Sequence, residues 1–229
     1  MRRAVWWLIG IAALAALWSW VPSAFVRHQV AASIRSQLGP PGQLTVRART
    51  TAWSLARGRV NHLEIEARDL SLGKVPARRF RAVMAGVEMA GSGQGGAAIR
   101  SVESGSAELE IGQPDLERLL ADHGIVGPVV TIDAVGITAT GLVRAGPVAG
   151  PARVRGQFYA VSGTDLHFRV ASLEVNGMEL PPALANAVLA VASQPILSLR
   201  GLPVPVQIER VISEAGRVVV FAQVVGSLR

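Results

Sequence analysis

Cysteine is absent from this 229-residue chain. The absence excludes disulfides, a thiol nucleophile and any cysteine-based metal site. Lysine is nearly absent as well, since Lys74 is the single lysine among 23 basic residues, and aromatic residues are only 5% of the chain. Charged residues reach 17% against 50% apolar residues, whereas soluble globular domains carry about 25%. This composition excludes disorder and indicates that part of the chain is hidden from water.

Ionisable side chains are missing from residues 4–26, which follow Arg2 and Arg3. As a helix this segment would span roughly 34 Å, enough to cross a hydrocarbon core of about 30 Å. Four of the five tryptophans fall within the first 20 residues, and tryptophan favours membrane interfaces. We predict that residues 1–26 form an uncleaved anchor, with a cleaved signal peptide and a buried core helix as alternatives. Residues 27–229 would then form one extracytoplasmic domain of a single-pass cell-membrane protein.

Acidic residues are absent from the first 63 positions, although the chain contains 16 of them. Six arginines lie between Arg27 and Arg59, directly after the predicted anchor. Such a stretch suits anionic lipid head groups, at about 1 kcal/mol per basic residue near the surface. The alternative is a solvated face in an arginine-rich chain. The candidate residues for contact with head groups or the membrane surface are Arg47, Arg49, Trp53, Arg57 and Arg59.

Hydrophobic periodicity predicts a long amphipathic helix and then strands. Val26, Val30, Ile34 and Leu38 recur every four residues over residues 23–38, and residues 39–42 (GPPG) end that helix. Alternation of apolar and polar residues follows, and it predicts strands at residues 44–49, 63–72, 78–89, 99–111, 128–144, 152–161, 166–175, 203–212 and 216–225. Shorter helices are predicted at residues 114–120 and 181–192. The expected fold class is α+β with a mostly antiparallel sheet.

The alternation changes face twice along these strands. One change falls between Ala67 and Leu70 and predicts a bulge near Arg68 and Asp69. The other separates Leu166, Phe168 and Val170 from the pair Leu173 and Val175. Two such changes imply strands that bend strongly.

Motifs for catalysis or metal binding do not assemble in this sequence. Gly91, Gly93 and Gly96 satisfy G-x-G-x-x-G, but a strand-like run follows them where a phosphate site needs a helix. The four histidines are far apart and lack metal-ligand spacing. Asp133 and Asp165 are isolated acids, for which a turn or strand-end role is favoured over general acid–base chemistry. We therefore expect no enzyme activity, no catalytic residue, no metal and no cofactor.

Nucleic-acid binding is also disfavoured, despite a net charge of +7. The predicted domain has few aromatic residues to stack on bases and no basic recognition helix. We expect no nucleic-acid partner.

The order of features along the chain resembles the LmeA-type phospholipid-binding family of bacteria. The resemblance begins with a membrane or signal segment and an amphipathic helix, and Pro205 departs from it in the final hairpin. The residues that carry it are 53–60 (WSLARGRV), 63–67 (LEIEA), 80–87 (FRAVMAGV), 107–111 (AELEI), 115–116 (DL), 177–181 (GMELP) and 202–225.

The resemblance implies a phospholipid-binding protein related to tubular lipid-binding folds, with a bent sheet wrapped around a long helix. It implies no catalytic residue. A sheet with an apolar concave face either fills its interior or leaves a tube, and burying an acyl chain of about 16 carbons would contribute roughly 12 kcal/mol before entropy costs. The candidate lining residues are Val26, Val30, Ile34, Leu38, Leu116, Leu119, Leu120, Leu184 and Val188.

The function predicted from the sequence is that of an anchored extracytoplasmic protein that binds phospholipid, in particular anionic phospholipid, and carries or presents it at the cell envelope. The alternative is an anchored, non-catalytic assembly or scaffold protein that binds an unknown protein partner. A lipid that co-purifies with the chain would favour the first, and a single specific protein crosslinked in membranes would favour the second.

Overall fold

The structure is a computed structural model that describes residues 42–72, 75–90, 98–145, 148–180, 195–199, 206–224 and 226. Within these ranges there are two short helices, α1 (Ala52–Ala56) and α2 (Gln113–Asp122). The strands are β1 (Gln43–Arg49), β2 (Arg59–Leu72), β3 (Val75–Ala90), β4 (Ala98–Gly112), β5 (Val126–Ile132), β6 (Ile137–Ala145), β7 (Val148–Val161), β8 (Asp165–Val175), β9 (Met178–Glu179), β10 (Leu197–Ser198), β11 (Val206–Glu214) and β12 (Arg217–Val224).

The strands form two antiparallel sheets. Sheet A has the order β1-β2-β3-β4-β12-β11, and sheet B has the order β10-β8-β7-β6-β5 with β9 paired to β8. The closing hairpin of the chain returns to sheet A, where Val218 of β12 pairs with Ile111 of β4. The prediction of a mostly antiparallel fold is confirmed. The expectation of one bent sheet is wrong, because the strands divide between two sheets.

The hydrophobic core lies between the two sheets and includes residues from both. Leu63 and Met84 of sheet A are fully buried, as is Leu166 of sheet B, and all three belong to one cluster of packed apolar side chains. The strands alternate as the sequence predicts: along β1, Leu44 and Val46 are half-buried while Arg47 is exposed. The buried apolar side chains of the two sheets therefore face each other, and most polar side chains face outward.

Asp69 marks the first change of face, but it is not a bulge with an extra residue. The pairing of β2 with β3 keeps one register on both sides of it, and Asp69 has a positive φ of 51°. The partner strand changes face at the same level, since Ala77 and Phe80 are both buried. The predicted change of face is confirmed, but the predicted bulge is wrong, because both strands change face together and their register stays the same.

The second change of face is a true β-bulge in β8. Arg155 pairs with Ser172 while the next residue, Gly156, pairs with Val170, so Ala171 is the extra residue. Because of it, Leu173 returns to the inner face. Phe158 and Phe168 meet edge-to-face on that inner face, with ring centroids 5.3 Å apart.

The single strand predicted over residues 128–144 is wrong, because a turn divides it into β5 and β6. The Asp133 carboxylate accepts hydrogen bonds from the backbone N–H groups of Val135 (2.8 Å) and Gly136 (2.9 Å). Gly136 has a φ of 155°, which is readily available only to glycine. The turn role favoured for Asp133 is thereby confirmed.

Helix α2 confirms the helix predicted over residues 114–120. Asp115 accepts a hydrogen bond from the N–H of Gly112 at 2.9 Å, which caps the helix start. Gln113 and Glu117 then bond the carbonyl and the N–H of Val130, at 2.6 and 3.0 Å, and tie α2 to β5. Helix α1 is not foreseen by the sequence patterns, because five residues are too few for a helical period.

Three predicted segments lie outside the described residues: the anchor at 1–26, the amphipathic helix at 23–38 and the helix at 181–192. Among the helices that the structure does describe, none has the length and hydropathy needed to cross a membrane. The glycine-rich residues 91–96 also lie outside. Strand β4 follows them, so the G-x-G-x-x-G sequence lacks the helix that a phosphate site requires.

Candidate lipid-binding site

The inner face of sheet A carries a small apolar cavity. Its walls come from β2, β3, β4, β11 and β12 together with Leu199, and every lining side chain is a hydrocarbon. The volume is about 10 Å³, room for roughly one water molecule. The lining residues are Leu72, Phe80, Ala107, Leu109, Leu199, Val206, Val220 and Ala222.

This cavity is much smaller than a typical ligand pocket of about 300–1,000 Å³. An acyl chain therefore enters here only if the lining side chains move apart. The sequence patterns assign these residues to strand faces, but they do not reveal which level of the sheet would leave a gap.

The predicted lining residues that the structure describes all lie on α2. Leu116 is buried, while Leu119 and Leu120 are half-buried against the same core cluster. They pack beside β5 and are not among the residues that line the cavity. The other candidates, Val26, Val30, Ile34, Leu38, Leu184 and Val188, lie outside the described residues, so a role in lining a lipid site stays a prediction for the whole set.

Trp53 and Arg57 form an exposed pair at the turn between β1 and β2. Thr51 caps α1 by accepting a hydrogen bond from the N–H of Ser54, and this fixes the short helix. The indole of Trp53 is 68% exposed. The guanidinium of Arg57 lies 4.5 Å from the centroid of the tryptophan ring in a cation–π contact. An exposed indole beside a cation is the arrangement that proteins place at lipid head groups.

The remaining basic candidates differ in their charge partners. Arg47 lies on the outer face of β1, 3.8 Å from a carboxylate oxygen of Glu64. Arg59 forms an ion pair with Glu103. Arg49 and Arg57 make no ion pair with a carboxylate of the described residues. Exposed ion pairs contribute about 0–1 kcal/mol, so all of these arginines stay available to an anionic surface.

The outer face of sheet A is a network of paired charges. Arg81 contacts Glu64 at 2.9 Å, and Arg79 contacts Glu66 at 2.9 Å. Burial alone raises the pKa of Glu66, but the charge and hydrogen bonds of Arg79, together with those of Arg68, outweigh it and hold the pKa below its ordinary value. Opposite charges therefore compensate each other over most of this face.

Asp165, the second isolated acid, is buried at the start of β8. Its Oδ1 accepts a hydrogen bond from the Ser198 hydroxyl at 2.7 Å, which joins the short strand β10 to β8. This is the strand-end role that the sequence favours.

Comparison with curated proteins and with solved structures finds no match for this chain. Comparison with protein families does find one: residues 20–223 match LmeA-like phospholipid-binding proteins. The match covers both sheets, the cavity and the Trp53–Arg57 pair. The chain belongs to the LmeA-like phospholipid-binding family.

Proposed function

We propose that this protein is anchored in the cell membrane by residues 1–26 and binds phospholipid with its extracytoplasmic domain, carrying or presenting the lipid at the envelope. Family membership supports phospholipid as the ligand. The arginines around Trp53 favour anionic head groups, since a guanidinium forms paired hydrogen bonds with phosphate oxygens.

The observation that carries the proposal is the hydrocarbon lining of the inner face of sheet A. Eight apolar side chains surround the cavity, and the residues that the structure describes contribute no polar atom to its lining. A pocket for a polar metabolite would need hydrogen-bonding groups inside it. An acyl chain needs none, because its burial contributes about 0.8 kcal/mol per CH₂. The protein would bind its lipid without a catalytic residue or a cofactor.

Native mass spectrometry of the full chain, purified from cells without added lipid, tests the proposal. We expect one phospholipid to accompany each chain, and anionic species to be enriched. Ala107→Leu places a larger side chain in the cavity and should lower the lipid content. Ala139→Leu adds the same volume to the inner face of sheet B, and it should leave the lipid content unchanged.

The proposal fails if the wild-type chain carries no lipid and takes up none from phospholipid vesicles. Equal losses in Ala107→Leu and Ala139→Leu would separate lipid binding from this cavity. A lipid-free chain that crosslinks to one specific protein in membranes would favour the scaffold alternative.

A further inference from the structure

The outer face of sheet B differs from that of sheet A in its charge balance. We define this surface by the residues of β5 to β8 that alternate with the buried ones. Four arginines belong to these strands. Among the described residues of the same strands there are two carboxylates, the half-buried Glu174 and the buried Asp165. The arginines are Arg144, Arg153, Arg155 and Arg169.

Three of these arginines have no carboxylate partner among the described residues. Arg153 lies 3.6 Å from Glu174, but no carboxylate of the described residues pairs with Arg144, Arg155 or Arg169. On sheet A, by contrast, Arg79, Arg81 and Arg217 all pair with glutamates. Even with Glu179 of β9, which is exposed and pairs with Glu174, sheet B carries four arginines against two solvent-accessible carboxylates among the described residues. It therefore presents excess positive charge to an incoming anion.

Arg155 occupies the middle of this surface between two hydroxyl side chains. It pairs across the sheet with Thr138 of β6 on one side and with Ser172 of β8 on the other. A guanidinium flanked by hydroxyls offers donors in the arrangement that phosphate oxygens accept. Farther along, Arg169 lies 4.7 Å from the centroid of the Tyr159 ring, which holds a second cation at the surface.

Exposed aliphatic side chains adjoin the arginines on the same face. Val126 and Leu142 pair across β5 and β6 and are 57% and 50% exposed, and Val129 is 58% exposed. Val129 neighbours Thr140, which in turn neighbours Arg153. Aliphatic side chains mixed with cations suit a bilayer surface, where the chains enter the head-group layer and the cations meet phosphates.

We propose that the outer face of sheet B is a second membrane-contacting surface, which binds a bilayer that contains anionic phospholipid. This surface belongs to sheet B, whereas Trp53 and Arg57 lie at α1, between β1 and β2 of sheet A. Contact at this surface is independent of lipid binding inside the domain, so the two proposals can fail separately.

The absence of cysteine allows a site-specific test. The full chain carrying Val129→Cys, labelled with an environment-sensitive dye, is mixed with phosphatidylcholine vesicles or with vesicles that also contain phosphatidylglycerol. We expect a blue shift of the dye emission with the anionic vesicles only. Ser106→Cys, exposed on the outer face of sheet A, is the matched label position and should show no shift.

Charge variants of the labelled chain complete the test. Replacing Arg144, Arg155 and Arg169 by Gln should raise the lipid concentration needed for a half-maximal dye shift at least about tenfold. Replacing Arg79, Arg81 and Arg217 by Gln removes the same charge from sheet A. This variant should change the lipid concentration for a half-maximal shift by less than about twofold. An unshifted dye at Val129 in the presence of anionic vesicles, or equal weakening by both triple variants, would overturn the proposal.

Discussion

Single residues decide several features that hydrophobic patterning leaves open. The Asp133 carboxylate accepts hydrogen bonds from two backbone N–H groups and turns the chain within a mostly apolar run, residues 128–137. The sequence marks Asp133 as a turn residue, but apolar residues on both sides outweigh that signal in a pattern of period two. At Asp69 the sequence does predict a change of face, because the alternation changes there. The alternation of apolar and polar residues indicates which face of a strand a residue occupies, but it does not indicate where the strand ends.

We expect the carboxylate of Glu66 to make the stability of the protein depend on pH in the acidic range. Its pKa is lowered in the folded protein, so its contribution to stability is full above the unfolded value of about 4.5. That contribution is lost as the pH falls through the folded pKa. We expect Glu66→Gln to lower the free energy of unfolding at pH 7 by up to about 1 kcal/mol. The two stability curves should converge as the pH falls through the folded pKa of Glu66.

Urea unfolding between pH 3 and 7 measures this effect. Glu88→Gln is the control, since Glu88 is exposed and forms no ion pair with the described residues. Stability differences for Glu66→Gln that are independent of pH would contradict the assignment.

At the scale of elements, the meander of sheet A and the final hairpin follow from alternation, as does the identity of α2. The sequence does not show how the strands divide into two sheets. Each strand has one apolar face, and that pattern does not specify which other strands pair with it. The interior is equally hard to foresee. Ala107 and Ala222 line the cavity and are register partners on β4 and β12. These two small side chains, 115 positions apart in sequence, come together only in the folded sheet.

The bulge in β8 leads to a prediction about the strand as a unit. Deleting Ala171 should be tolerated, because β8 then alternates regularly and Val170 and Leu173 both keep facing the core. We expect the thermal midpoint to fall by only a few degrees, roughly what about 1 kcal/mol produces in a domain of this size.

Deletion of Gln157 from β7 is the matched comparison. It shifts the alternation and turns Phe158 away from Phe168, so we expect a loss of several kcal/mol. Circular dichroism melts of the two deletion variants distinguish these outcomes, and equal losses would show that the bulge is required for the fold.

At the scale of the whole molecule, basic residues adjoin exposed apolar side chains in two separate places. One is the Trp53 region of sheet A, which follows directly on the amino-terminal segment, and the other is the outer face of sheet B. Sequence analysis finds the first, because the arginines between Arg27 and Arg59 are consecutive along the chain without an acid. It misses the second, because those arginines are spread over three strands and meet only after folding.

Replacing Arg47, Arg49, Arg57 and Arg59 by Gln should weaken binding of the full chain to vesicles containing phosphatidylglycerol by about tenfold or more at low salt. The remaining binding should depend less on ionic strength, since fewer charges are screened. Vesicle flotation at several salt concentrations provides the measurement.

A variant with Gln at Arg78, Arg79, Arg81 and Arg217 has the same net charge and tests whether position matters. An unaltered salt dependence in the first variant would count against a role for the Trp53 region at the membrane.

The place of β12 beside β4 has a consequence for the order of folding. The two strands are joined by the Arg217–Glu110 ion pair across 107 positions of sequence, and all of sheet B is made between them. Until the last hairpin emerges, β4 is an unpaired edge with a row of apolar side chains, the kind of surface at which chains aggregate. The final twenty or so residues thus act as the closing step of folding, and a chain truncated before Arg217 would expose that edge permanently.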